Sequence, residues 1–117
     1  MKRLSLEDID KAPSLPEKEI EIPEWKSSVL VTGLTKMDTI KINELSETDG
    51  IRDEVLFEKY LLLTGVKEPV LDSIEEVDKF YSKATPGIID KILIGIYRCM
   101  AWTKEEQQEI AAEFPGK

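Results

Sequence analysis

The chain has no histidine and a single cysteine, Cys99, among its 117 residues. One cysteine cannot form a disulfide within the chain, and the cluster of Cys and His residues that holds zinc is missing. A cysteine nucleophile would need a general base, and histidine is not available for that role. These absences argue against a thiol enzyme, and we expect Cys99 to be a small residue of the core.

Long apolar runs are also missing from the sequence. No apolar stretch approaches the roughly 18 residues that a membrane-spanning helix requires. Near the N-terminus, Glu7 and Asp8 bring carboxylates too early for a secretory signal. We therefore expect no membrane partner and a place of work in the cytoplasm.

Charge is mostly of one sign, because 24 Asp and Glu residues outnumber 16 Lys and Arg residues and give a net charge of −8. Residues 37–85 hold 12 acidic and 6 basic side chains, so they account for −6 of that total. An acidic surface repels phosphate backbones, and no basic helix suited to reading DNA is present. Direct binding to nucleic acid is therefore not expected.

The most apolar stretch runs from Thr85 to Trp102 and predicts a central core helix. Thr85 suits the N-cap and Pro86 the first helical position. One half of this helix carries the apolar residues Ile88, Ile89, Ile92, Leu93, Ile96, Tyr97 and Met100. Ile94 and Trp102 fall on the other half. Gly95 in mid-helix indicates close packing against another helix, with a functional role as the alternative.

The N-terminal third of the chain has a different pattern of apolar residues from that of the core helix. Residues 1–17 predict a short lead and a linker, in which Leu4, Leu6 and Ile9 give one apolar turn. Residues 18–36 predict a β-hairpin, because residues 19–22 alternate strictly between Glu and Ile and residues 29–32 are β-branched and apolar. We place its turn near residues 26–28. Pro23 has no N–H group, so we expect the first strand to lie at a sheet edge or to be bulged at this residue.

Helices are predicted over residues 37–114, and residues 115–117 form a tail. Thr35 and Asp38 resemble a capping box, with Met37, Ile40 and Leu45 facing inward. The next helix spans residues 51–64, and Gly65 suits a left-handed C-terminal cap. Ser73 and Thr103 open two further capping boxes, with apolar stripes after each; these stripes are Ile74, Val77, Phe80, Tyr81 and Ala84, then Ile110, Ala111 and Phe114.

The fold class that follows is mainly α with a small N-terminal β-hairpin, an α+β chain with four or five short helices in a compact bundle. Residues 1–117 are expected to form one domain. No spacing resembles a calcium loop, a phosphate loop, a dinucleotide fingerprint or a nucleophile elbow. We therefore expect no catalytic residues, no cofactor and no metal, and a protein that is not an enzyme.

Two stretches together are similar to the tail assembly chaperones of long-tailed bacteriophages and of prophages in Gram-positive bacteria. The first is residues 20–25 (IEIPEW) followed by residues 28–34 (SVLVTGL). The second is residues 63–71 (LTGVKEPVL), which continue into an apolar helix from Ile88. The Pro-Glu-Trp element is the most specific part of this resemblance. The family often has glycines after the tryptophan, where this chain has residues 26–28 (KSS), and a small polar or glycine ending where it has residues 99–102 (CMAW).

The resemblance implies a transient escort for the tape measure protein, a long and largely helical chain. Such a protein keeps its client soluble, helps to recruit tail tube subunits in the host bacterial cytoplasm, and is absent from the mature virion. It also implies self-association or pairing with a longer, frameshifted form. The candidate partner-binding residues are Trp25, Ile94 and Trp102, since aromatic anchors are typical of contact hot spots. Ordinary packing of these residues is the alternative.

A second functional class stays open from the sequence alone. The carboxylates of residues 44–78 could form an array that resembles phosphates. The chain would then be an acidic phage-encoded inhibitor, or nucleic-acid mimic, that binds a host protein.

Overall fold

The computed structural model describes residues 3–12 and 14–100. In this part of the chain the helices are α1 Leu6–Asp10, α2 Lys36–Leu45, α3 Glu54–Gly65, α4 Ile74–Lys83 and α5 Pro86–Arg98. The strands are β1 Glu17–Ile22, β2 Ser27–Thr32, β3 Glu47–Thr48, β4 Ile51–Arg52 and β5 Val66–Glu68. The predicted α+β fold, with short helices and an N-terminal hairpin, is confirmed.

The β-hairpin has the predicted strands but a different turn. β1 and β2 pair antiparallel from Glu17 opposite Thr32 to Ile22 opposite Ser27. A short 3-10 turn, Pro23–Trp25, joins them, and Lys26 completes it with a φ of 52°. The turn therefore lies two to three residues earlier than predicted, because Pro23 suits the start of a 3-10 turn.

β5 adds a third strand, which the sequence analysis missed. It pairs antiparallel with β2, so the strand order is β1-β2-β5 and β1 lies at an edge, as predicted. β3 and β4 form a separate two-stranded hairpin around the predicted turn at Asp49 and Gly50. The segment predicted to be wholly helical thus contains three short strands.

α5 is the centre of the core, as predicted. The Thr85 side chain accepts a hydrogen bond from the backbone N–H of Ile88, and Pro86 occupies the first turn. The buried residues of α5 are Ile88, Ile89, Ile92, Leu93, Gly95 and Ile96. Gly95 permits close packing on the sheet, because a Cβ there would lie 2.6 Å from Cδ1 of Ile20.

α3 begins later than predicted and ends differently. Asp53 is its N-cap, because the preceding residues belong to β4. Gly65 is not a left-handed cap: it is the last helical residue, and the helix runs directly into β5. Its small size is needed for packing, since a Cβ there would lie 2.6 Å from Cδ1 of Ile96.

α2 has the predicted capping box, in which Thr35 and Asp38 exchange backbone–side-chain hydrogen bonds of 3.1 and 3.0 Å. α4 begins after Ser73 as predicted, but Glu76 accepts from the backbone N–H of Asp72 and not from that of Ser73. The stripe predicted on α4 packs on the core, with Val77 fully buried. In the residues described, no helix is both long and apolar enough to cross a membrane.

Candidate functional site

Trp25 lies at the tip of the hairpin and packs on α4. Its ring meets that of Phe80 edge to face, with centroids 5.4 Å apart and planes at 75°. The 3-10 turn holds the backbone in place for this contact, and 39% of the side chain stays exposed. Trp25 is therefore a structural contact that also presents an aromatic surface.

Ile94 is half-buried and lines a groove between β1 and α5. This β1–α5 groove has a volume of about 690 Å³. The ten residues that line it are Lys18, Glu19, Ile20, Glu21, Glu24, Gly87, Lys91, Ile94, Gly95 and Arg98. Trp102 and the helix predicted after Thr103 lie outside the described residues. The structure therefore gives the positions of two of the three predicted anchors, Trp25 and Ile94.

The outer face of α2, formed by Met37, Ile40 and Leu45, was predicted to face inward, and this prediction is wrong. These side chains are 79%, 49% and 46% exposed, and Ile42 is the buried residue of the helix. The apolar residues of α2 thus lie on two faces, and of these Ile42 is the one that packs into the core. A helix that is apolar on more than one side is typically buried on more than one side.

Apolar exposure continues at the N-terminal arm, residues 3–12. The predicted apolar turn forms as α1, capped by Ser5 and Asp8, which exchange hydrogen bonds. Leu4, Leu6 and Ile9 are all exposed, so the arm adds nothing to the core. The arm and the outer face of α2 are thus two places at which this acidic chain exposes large apolar side chains.

Many carboxylates of residues 44–78 have structural partners. Asp53 caps α3, Glu54 pairs with Arg52 at 2.9 Å, and Asp78 pairs with Lys59 at 2.9 Å. Glu58 accepts a hydrogen bond from the Tyr81 hydroxyl at 3.0 Å. These groups are already engaged within the fold, which leaves fewer carboxylates for an array that resembles phosphates.

Tyr81 lies in a smaller cavity of about 250 Å³ beside Glu58 and Asp90. Burial, then the hydrogen bond and the charge of Glu58, raise the pKa of its hydroxyl to about 12. Tyr81 is therefore uncharged at neutral pH and cannot serve as a base there. Across the part of the chain that the structure describes, no group of three or more Cys, Asp or Glu residues could hold a metal ion.

Cys99 is buried at the end of α5, as the sequence predicts. Burial is the main cause that raises the pKa of its thiol; the charge of Glu17 adds to this effect and that of Lys18 opposes it. Because the thiolate is the reactive form, both the burial and the raised pKa slow its reaction.

We expect Cys99 to react with a thiol reagent far more slowly in the native protein at pH 8 than in denaturant. The reaction can be followed by absorbance with a disulfide reagent, and the denatured chain provides the control for complete labelling. Equal rates in the two states would contradict the placement of Cys99 in the core.

The chain matches no protein-family model, no curated protein and no solved structure.

Proposed function

We propose that this chain is a tail assembly chaperone of a long-tailed bacteriophage or prophage. It binds the tape measure protein in the host bacterial cytoplasm, keeps it dispersed, helps to recruit tail tube subunits, and leaves before the virion is complete. On this proposal it acts by binding and catalyses no reaction. The sequence support is the resemblance of residues 20–34 and 63–92 to that family.

The structural observation that carries the proposal is the outer face of α2. Met37, Ile40 and Leu45 expose apolar surface on a helix that is fixed to the core through Ile42. A client made of amphipathic helices offers an apolar stripe that can pack against such a face. The charge of −8 keeps the complex dispersed while that contact forms.

Charge and exposure together favour an escort over a structural subunit. A chain with this much like charge repels its own copies, whereas its exposed apolar side chains attract a sticky client. In addition to the outer face of α2, Trp25 and Ile94 remain candidate anchors, and Trp102 remains a candidate from the sequence. No observation favours the inhibitor, because several of the carboxylates that it requires already have partners in the fold.

We expect a tape measure fragment to stay in the supernatant when it is co-expressed with this chain, and to sediment without it. The double variant Met37→Asp/Ile40→Asp should lose the client, because each exposed anchor contributes on the order of 1–2 kcal/mol, which is about tenfold in affinity. Soluble and pelleted client are measured on gels after centrifugation.

Val70→Asp is the matched control, since Val70 is also an exposed apolar residue but lies in the loop after β5. It should hold the client as the parent does. Each variant must first keep the circular dichroism spectrum and melting temperature of the parent. A client that is equally insoluble with the parent would refute the chaperone proposal. A client held equally by all variants would exclude the outer face of α2 and leave Trp25, Ile94 and Trp102 to be tested in turn.

A further inference from the structure

The outer edge of β1 has no strand partner among the described residues. β1 pairs with β2 on one side only, and all six of its residues lie in that ladder. Pro23 does not interrupt this edge, because it lies in the 3-10 turn beyond the strand. An open edge presents backbone N–H and C=O groups on which another extended segment can pair.

The two faces of this edge differ in charge. Side chains of a strand alternate, so Lys18 lies on the same face as Ile20, which packs against Gly95 of α5. Glu19 and Glu21 are exposed and lie on the opposite face. Lys18 therefore lies on the face of the edge towards α5, and Glu19 and Glu21 lie on the other face, although both glutamates and Glu24 also border the β1–α5 groove.

α5 strengthens the basic character of its side of the edge. Lys91 and Arg98 are seven residues apart, so they lie on one face of the helix, and both line the β1–α5 groove. The side chains of these two residues form no ion pair or hydrogen bond with any described residue, and the same holds for the side chains of Glu19 and Glu21. Gly87 leaves room beside the strand, because the nearest atom to a Cβ added there is Oγ1 of Thr85 at 3.9 Å, whereas the space over Gly95 is filled by Ile20.

A second copy of this chain does not fit the edge as an antiparallel strand. In an antiparallel pair of two β1 strands, side chains on the same face oppose one another. The outward face of β1 carries Glu17, Glu19 and Glu21, so every such register places glutamate opposite glutamate. Like charges directly opposite each other destabilise a strand pair. The occupant therefore has a charge pattern different from that of β1.

We propose that the outer edge of β1 binds an extended segment of another protein as a fourth strand. Acidic and apolar side chains of that segment alternate with basic ones. Its acidic residues contact Lys18, Lys91 and Arg98, an apolar residue contacts Ile94, and its basic residues contact Glu19 and Glu21. This site is separate from the outer face of α2, and it does not depend on the identity of the tape measure client.

The test uses a labelled heptapeptide with Lys at the odd positions and Glu, Ile and Glu at the even positions. We expect saturable binding by fluorescence anisotropy that weakens as salt is raised. Lys91→Glu/Arg98→Glu should reduce the affinity about tenfold or more. Lys79→Glu/Lys83→Glu makes the same charge change on exposed residues of α4 and should leave it within about twofold. Lys91→Gln/Arg98→Gln removes the charges without reversing them, in case the first variant does not fold.

Two matched peptides test the binding mode. A peptide of the same composition, with Lys at positions 1, 2, 6 and 7 and Glu-Ile-Glu at the centre, breaks the alternation and should bind more weakly. N-methylation at alternate residues should abolish binding in one of the two possible frames, since only one set of amides faces β1. Equal binding by both frames, or by the rearranged peptide, would overturn strand addition. So would no saturable binding, equal binding by an oligonucleotide, or a dimer of this chain that Lys91→Glu/Arg98→Glu dissociates.

Discussion

Replacing Ile92 with Ala is expected to lower the free energy of unfolding by about 2–5 kcal/mol. Ile92 is 0% exposed and lies at the centre of the buried face of α5, which packs against the sheet and against α3. Truncation to Ala removes three buried carbon atoms and leaves a cavity that a packed core fills only in part. Chemical or thermal unfolding measures the loss, which should lower the Tm by on the order of 10 °C.

Ile94→Ala is the matched control, because it makes the same truncation two residues later on the same helix. Ile94 is half-buried at the β1–α5 groove, so its truncation removes less contact and leaves no closed cavity. Its effect should be well below that of Ile92→Ala. Equal losses for the two variants, or a parental Tm for Ile92→Ala, would contradict the assignment of the buried face of α5.

Gly33→Ala is the second large effect that we expect. Gly33 follows β2 and is buried against the end of α5, where a Cβ would lie 2.3 Å from the carbonyl oxygen of Cys99 and 2.7 Å from its carbonyl carbon. Both of these atoms are backbone, so no rotation of a side chain relieves the clash. Overpacking of this kind costs about 1–3 kcal/mol, and a backbone clash belongs at or above the upper end of that range.

Gly87→Ala is the matched control and should have the opposite sign. Gly87 lies in the first turn of α5, and the nearest atom to an added Cβ is Oγ1 of Thr85 at 3.9 Å. Alanine fits there and restricts the unfolded chain, so the free energy of unfolding should rise by about 0.4–1 kcal/mol. If Gly33→Ala unfolds at the same denaturant concentration as the parent, the close contact between the end of β2 and the end of α5 is wrong.

The core helix could be predicted from the sequence because its local signals agree with each other. Thr85 and Pro86 mark its start, and seven apolar residues keep one period over three turns. The strict alternation of residues 19–22 likewise predicted that Ile20 and Ile22 are buried, which is confirmed. The cost of Gly95 in mid-helix predicted close packing against another helix; the packing is close, but its partner is Ile20 of the sheet.

α2 could not be oriented from its sequence. Its four apolar residues, Met37, Ile40, Ile42 and Leu45, do not lie on one stripe, so periodicity leaves the buried face undecided. In the folded chain Ile42 packs into the core, and the other three residues stay exposed. The short strands β3, β4 and β5 were missed for a related reason: two or three residues are too few to show a period of two.

The candidate surfaces were only partly predictable. Ile94 was singled out because it lies off the apolar stripe of its helix, and Trp25 because it is an aromatic residue near the predicted turn; their role as anchors stays a prediction. The basic side of the β1–α5 groove was not found, because Lys18 and Lys91 are 73 positions apart in the sequence and meet only through the packing of α5 on the sheet. The outer face of α2 was missed because its residues were assigned to the core.

The most direct test of the proposed function is a light-scattering assay with a purified tape measure fragment diluted from denaturant. With increasing amounts of this chain, scattering should fall and reach a low plateau at a defined molar ratio. The plateau is expected because each client molecule binds a fixed number of chaperone molecules. The folded Met37→Asp/Ile40→Asp variant should need a much higher concentration to achieve the same effect. Scattering that stays unchanged with the parent protein in molar excess would contradict the proposal.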